Sequence, residues 1–238
     1  MSQSDAKRAA GTAAAALVES GMTLGLGTGS TTAFAIEAIG ARVASGEIDV
    51  VGVPTSFAAE RLARQHGVPI ATLDELGVAD VGAQPPLDLA IDGADEVDPA
   101  LGLIKGRGAA HVREKVVAAL AARFVVLVDD SKLVDRLGTT MPVPVEALPF
   151  AAPAVERALR GLGAEVTLRM GQKKDGPVVS DQGLWIFDAR FDGIDDPAAL
   201  GAAMDAIPGV LGHGLFLNLA TDVLVGEADG SVRHIVRP

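Results

Sequence analysis

Across the first 130 residues, short apolar runs alternate with longer stretches of helical character. This alternation limits the fold more than any other feature. The apolar runs are 23–27, 49–54, 68–72, 87–91 and 124–128, and the helical stretches are 5–19, 30–44, 57–66 and 109–122. Continuous apolar strands separated by helices predict an open, mostly parallel α/β sheet covered on both faces. In such sheets ligands bind beyond the carboxyl ends of the strands, so the turns that follow these runs are where function is sought.

The pattern changes at MPVPVEALPF, where Pro142, Pro144, Pro149 and Pro153 fall close together. The expected order from there is strand 143–147, helix 153–162, strand 165–170, strand 184–191, helix 197–207 and strand 210–216. That βαββαβ order is the ferredoxin-like α+β plan. The tail, 221–238, reads as a hairpin around Ala228-Asp229-Gly230-Ser231 and returns to the first domain. The expected domains are therefore 1–140 with 217–238, and 141–216.

The 238 residues are 49% hydrophobic, enough for a large core and too apolar for disorder. There are no cysteines, which excludes disulfides, thiolate zinc sites and cysteine nucleophiles and suits the reducing cytoplasm. The N-terminal segment is alanine-rich but carries Asp5, Lys7, Arg8 and Glu19, so it reads as an amphipathic helix rather than a signal peptide. No apolar stretch reaches membrane-spanning length; that over 116–128 is broken by Arg123. A formal charge of −11 argues against a nucleic-acid partner, and 3% aromatic residues leave few stacking platforms. An anionic ligand must then be held locally, by backbone dipoles and few cations.

Three turns meet that requirement. In GLGTGSTT, a strand feeds Gly27-Thr28-Gly29-Ser30-Thr31 and a helix begins near Ser30. Glycines allow close backbone approach, and the helix start offers unpaired N–H groups to a phosphate. The glycine spacing is not that of a dinucleotide fold, and there is no P-loop lysine. Serine capping of the helix is the plainer alternative.

In LDLAIDGADEVD, Asp92-Gly93-Ala94-Asp95 follows the strand directly, while Glu96 and Asp98 are expected to face water. The cluster lacks a calcium-loop ligand series, and the four histidines are scattered, so no metal is expected. In KGRGAAHVREK, Lys105 precedes Gly106-Arg107-Gly108, and Glu114 interrupts the apolar helical stripe formed by 110, 117 and 121. A carboxylate partly withdrawn from water on such a face is suited to general acid–base work.

These three motifs in this order, with DDSK at 129–132, PVPVE and AIPGVLGHGLF, resemble the type A ribose-5-phosphate isomerases over essentially the whole chain. The resemblance implies an open α/β catalytic domain with an inserted ferredoxin-like lid. It implies reversible conversion of ribose 5-phosphate to ribulose 5-phosphate in the non-oxidative pentose phosphate pathway, without cofactor or metal, by a cytoplasmic homodimer or homotetramer. Matched by motif, the catalytic base falls on Glu114. Substrate contacts fall on Thr28, Gly29, Ser30, Thr31, Asp92, Gly93, Ala94, Asp95, Lys105, Gly106, Arg107 and Gly108, with Lys132 and Lys7 as further contacts.

Arg107 departs from the family, which often has glycine there. It is strained if that position needs positive φ, and otherwise points outward or supports the phosphate.

In the implied chemistry Glu114 moves a proton between C2 and C1, Lys105 faces the enediolate oxygen, and Asp92 helps ring opening while Asp95 orients Lys105 or a hydroxyl. The two aspartates can exchange these roles. Two rivals stand beside this reading. One is a sugar-phosphate deaminase or acyl-CoA transferase of related fold, for which His111 is the only histidine near the loops. The other is a sugar-phosphate sensor without catalysis.

Overall fold

The computed structural model describes residues 3–80, 82 and 84–237. Its first elements are α1 (Gln3–Ala15), β1 (Thr23–Leu26), α2 (Ser30–Ala44), β2 (Val51–Pro54), α3 (Phe57–Gln65) and β3 (Leu87–Gly93). Next come β4 (Glu96–Val97), β5 (Leu103–Ile104), α4 (His111–Ala119), β6 (Ala121–Asp129) and β7 (Val143–Ala147). The remainder is α5 (Ala152–Gly161), β8 (Glu165–Leu168), β9 (Trp185–Arg190), α6 (Pro197–Asp205), β10 (Val210–His213), β11 (Leu215–Phe216), β12 (Asp222–Gly226) and β13 (Val232–Val236). The chain forms two compact units: Met1–Gly93 with Arg113–Lys132 and Asn218–Pro238, and Ala94–Val112 with Leu133–Leu217.

The first unit is built on a six-stranded sheet in the order β13-β12-β6-β3-β1-β2. Every pairing is parallel except β12 with β13, the C-terminal hairpin. Alternate residues of neighbouring strands share a face, so Leu24, Leu26, Leu89, Ile91, Val125 and Leu127 form one cluster with Ile36 and Ile39 of α2. Each such side chain contributes about 1.5–3 kcal/mol on burial. The alanine-rich α1 lies close against this layer because its neighbours are small. A Cβ on Gly226 would stand 2.0 Å from the Ala6 carbonyl, and one on Gly11 would stand 2.6 Å from Phe34 Cβ. Because the strands run parallel, the turns after β1, β2, β3 and β6 emerge at one edge of the sheet.

The second unit carries a four-stranded antiparallel sheet, β10-β7-β9-β8, which is the ferredoxin-like strand order, with α5 and α6 in the matching chain positions. A separate three-stranded sheet joins β11, β5 and β4.

Several expected elements come out differently; the N-terminal helix, expected over 5–19, ends at Ala15. The run 68–72 is not a strand and makes one parallel bridge, Gly52 to Ile70. Pro69 has no N–H to give, so the segment caps the β2 edge only through Gly52 N to Pro69 O and Ala71 N to Gly52 O. The helix expected to reach 122 ends at Ala119, because Ala121 and Arg123 pair with Leu87 and Leu89 of β3. The strand expected over 210–216 breaks at Gly214 into β10 and β11, which join different sheets. There a Cβ would stand 2.2 Å from the Lys105 carbonyl.

Candidate active site

In the first unit, the turn after β1 is organised by Asp92, the penultimate residue of β3. Asp92 is 2% exposed, and its Oδ1 accepts from the backbone N–H of Thr28 at 3.0 Å and of Gly93 at 2.7 Å. Gly27 makes room for it: a Cβ there would stand 2.3 Å from the Asp92 carboxyl carbon. The Thr28 hydroxyl meets Thr55 Oγ1 at 2.9 Å and Ser56 Oγ at 2.7 Å, and Ser56 also caps α3 by accepting from Ala59 N.

Helix α2 then starts from Gly29, whose φ of 128° few other residues adopt and which has no side chain to cap the helix. Ser30 is therefore the first helical residue and not the cap. Its Oγ accepts from Lys7 Nζ at 3.2 Å, which brings a cation from α1 to the helix start. Thr31 is half-buried in the first turn. Thr32 Oγ1 is buried with no hydrogen-bond partner among the described residues. A helix start with open N–H groups, hydroxyls and one lysine is suited to holding an anion.

Two further groups belong to this unit. Glu114, in the first turn of α4, is 5% exposed among buried neighbours of the same helix, Val117 and Ala118. At the end of β6, Asp129 organises the DDSK turn by accepting from Ser131 N and the Ser131 hydroxyl, and it accepts from the Gln3 amide. Burial pushes its carboxyl up, but those hydrogen bonds and Lys132 prevail and hold it below the usual range. Lys132 closes this short turn.

In the second unit, Lys105 follows β5, is 2% exposed, and its ammonium sits 5.4 Å from the centre of the Phe216 ring. Its backbone N–H donates to Gly214 O at 2.9 Å. The positive φ in the glycine turn falls at Gly106 (106°) and at Ala109 (60°), not at Arg107. Arg107 thus takes ordinary backbone, and its side chain is 72% exposed, 4.0 Å from Asp95. Asp95 accepts from the Arg107 N–H at 3.0 Å. Ala94 is half-buried at the start of this unit, and Gly108 lies in the turn that leads to α4.

The expectation that Glu96 faces water is wrong. Glu96 is fully buried and accepts from Gly138 N, Thr140 N, Thr140 Oγ1 and Met141 N, all within 2.7 Å. Four donors compensate the loss of water around its charge, so it is a structural anchor for 138–141. Asp98 does form a turn, accepting from Ala100 N and Gly102 N. His111 is fully buried at the start of α4. Sequence reasoning also missed Thr55 and Ser56; their signal was their place directly after β2. Among the described residues no group of three His, Cys, Asp or Glu could hold a metal ion, and no helix is long and apolar enough to cross a membrane.

The family pattern described as ribose 5-phosphate isomerase A (phosphoriboisomerase A) matches residues 51–230. The chain is 58% identical to ribose-5-phosphate isomerase A of Thermosynechococcus vestitus, covering 96% of this chain and 95% of that one. Among solved structures, a D-ribose-5-phosphate isomerase in complex with phospho-erythronic acid is 47% identical, with a TM-score of 0.93 and full coverage of both chains. The ribose 5-phosphate isomerase A of Methanocaldococcus jannaschii is 44% identical, with a TM-score of 0.91, covering 99% of this chain and all of that one.

Proposed function

The chain belongs to the ribose 5-phosphate isomerase A family, and from that premise we propose how its residues carry the reaction. It interconverts D-ribose 5-phosphate and D-ribulose 5-phosphate in the pentose phosphate pathway. The substrate phosphate binds at the start of α2, on the N–H groups after Gly29 and the hydroxyls of Ser30 and Thr31, with Lys7 and Lys132 supplying positive charge. Support comes from the uncapped helix start and from Lys7 Nζ, 3.2 Å from Ser30 Oγ.

Glu114 is the base. It takes the proton from C2 of the open-chain aldose as the C1 carbonyl becomes the enediolate oxygen; the O2 hydroxyl proton passes to O1, and the same carboxyl returns its proton to C1 as the C2 carbonyl forms. The observation that carries this assignment is its near-complete burial at 5% exposure, because a positioned base shielded from water hands the proton back rather than losing it. Lys105 stabilises the developing oxyanion; fixed donors of this kind are worth about 3–4 kcal/mol. Asp92 assists ring opening by relaying a proton between the ring oxygen and O1. Asp95 orients Lys105 or a sugar hydroxyl, with Gly93, Ala94 and the Gly106–Gly108 turn lining the substrate. The proposal includes a cytoplasmic homodimer or homotetramer that needs no metal.

The test is ribulose 5-phosphate formation with EDTA present, for the wild type and Glu114→Gln. Expected is full wild-type activity and a loss of about 10²- to 10⁴-fold in a folded variant. Activity in both proteins moves the base to Asp92 or Asp95. Loss on chelation, restored by a divalent ion, overturns the metal-free mechanism.

A further inference from the structure

One peptide plane in the second unit is gripped at both ends by side chains from different places in the chain. The carbonyl of Gly106 accepts from Arg169 Nη1 at 2.9 Å. The N–H at the other end of that peptide, on Arg107, donates to Asp95 Oδ2 at 3.0 Å. A trans peptide is planar and its C=O and N–H point in opposite directions, so fixing one end aims the other. Arg169 Nη1 also donates to the next carbonyl, that of Arg107, at 3.0 Å.

The guanidinium is itself held. Its Nε donates to Asp188 Oδ2 at 2.9 Å and its Nη2 to Asp188 Oδ1, a two-point pairing with a residue of β9. Arg169 follows β8 directly, and its backbone N–H donates to Ile186 O at 2.8 Å, so the sheet anchors the side chain at its base. Only 16% of the Arg169 side chain is exposed. Hydrogen bonds from a charged donor are about twice as strong as neutral ones. A planar fork can serve both oxygens of a carboxylate and two carbonyls together, four contacts that the three N–H groups of an ammonium cannot make.

We propose that Arg169 is a positioning residue of the isomerase: it sets the Gly106–Arg107 peptide, which follows Lys105 directly, and through it the carboxylate of Asp95. The inference rests on the reading above that Asp95 and Lys105 meet the substrate. Upstream, Lys105 is already pinned through its N–H on Gly214 O. With Arg169 holding the downstream peptides, the Lys105 backbone is fixed from both sides. The device also explains how position 107 accepts arginine. The turn is fixed by its carbonyls and its N–H, and the positive φ is met at Gly106.

The experiment measures kcat, KM for ribose 5-phosphate and melting temperature for Arg169→Met, Arg169→Lys, Asp95→Asn and the double variant Arg169→Lys with Asp95→Asn. Misplacement by about 1 Å costs roughly 10²-fold, so Arg169→Met is expected to lose about 30- to 100-fold in kcat with KM within about threefold. Arg169→Lys, which still neutralises Asp188, is expected to lose about tenfold. On the Asp95→Asn background the same lysine is expected to cost less than about twofold, because the two residues act as one unit. A purely structural pair predicts lower melting temperature with kcat intact. Wild-type kcat in Arg169→Lys overturns the proposal, even if Arg169→Met fails to fold. So does a full tenfold loss repeated on the Asp95→Asn background. Unchanged kcat in Asp95→Asn alone removes the route through which Arg169 is argued to act and overturns it as well, while leaving the isomerase assignment standing.

Discussion

At Gly27, in the turn after β1, an added Cβ would stand 2.3 Å from the Asp92 carboxyl, whereas position 107, in the glycine turn after β5, carries a full arginine side chain that is 72% exposed. Both turns follow a strand and lead into a helix, and in sequence they look alike. The first is held from within by a buried carboxylate, so its glycine is demanded by what it packs against. The second is held by its backbone groups, and only Gly106, at φ 106° and with its missing Cβ 2.8 Å from His111 Nδ1, is demanded there. A glycine-rich motif therefore does not require glycine throughout; crowding and φ decide position by position.

The sharpest way to break this comparison is Gly27→Ala. The new methyl must displace Asp92 and the Thr28 N–H it holds, so kcat/KM for ribose 5-phosphate is expected to fall about 100-fold. An enzyme with near-normal steady-state kinetics would show that the turn can yield without cost.

A second contrast lies in two buried carboxylates, one in each unit. Arg123 pairs with Asp222 through two hydrogen bonds and holds its carboxyl far below the usual range, against the opposing effect of burial. An acid whose folded pKa is depressed adds stability above its unfolded value of about 3.9, and that stability is lost as pH falls below it. Asp222→Asn is therefore expected to lower the melting temperature at pH 7 by about 3–6 °C, a gap that narrows below about pH 4.

Glu146 is the reverse case. Burial pushes its carboxyl up, and the hydrogen bond from Ser180 only partly opposes this. Its ionisation penalty appears as pH rises above about 4.3, the unfolded value. Glu146→Gln, relative to wild type, is expected to gain in melting temperature between pH 4 and pH 7. Calorimetry across that range checks both signs, and a shared sign would undo the contrast.

The smallest effect belongs to Arg107→Gly. Its ion pair with Asp95 spans 4.0 Å at an exposed position, and such pairs contribute about 0–1 kcal/mol. Isomerase kinetics within about twofold of wild type are expected. A larger loss would assign the guanidinium a direct role with the phosphate.

Much of the fold was legible in the chain. Apolar runs of strand length alternating with helical stretches specify a parallel sheet, and the βαββαβ order specifies the smaller antiparallel one. Both are local patterns of burial with periods that a sequence displays. The helix over 30–44 and the strand over 143–147 fall at their expected bounds. The burial of Glu114 was legible for the same reason, as a charge on an apolar helical stripe.

What only the tertiary structure decided involves partners distant along the chain. Glu96 reads as a solvated acid until residues 138–141 deliver four donors to it. Helix α4 gives way to β6 because β3 offers a ladder 34 residues earlier in the chain, between Leu87 and Ala121. Arg169 is an ordinary arginine in sequence, and its grip on Gly106 spans 63 residues. Periodicity records which side of an element is dry. It holds no information about which distant atom will supply a hydrogen bond, and in a buried site that atom settles whether a charge is solvated, structural or positioned for chemistry.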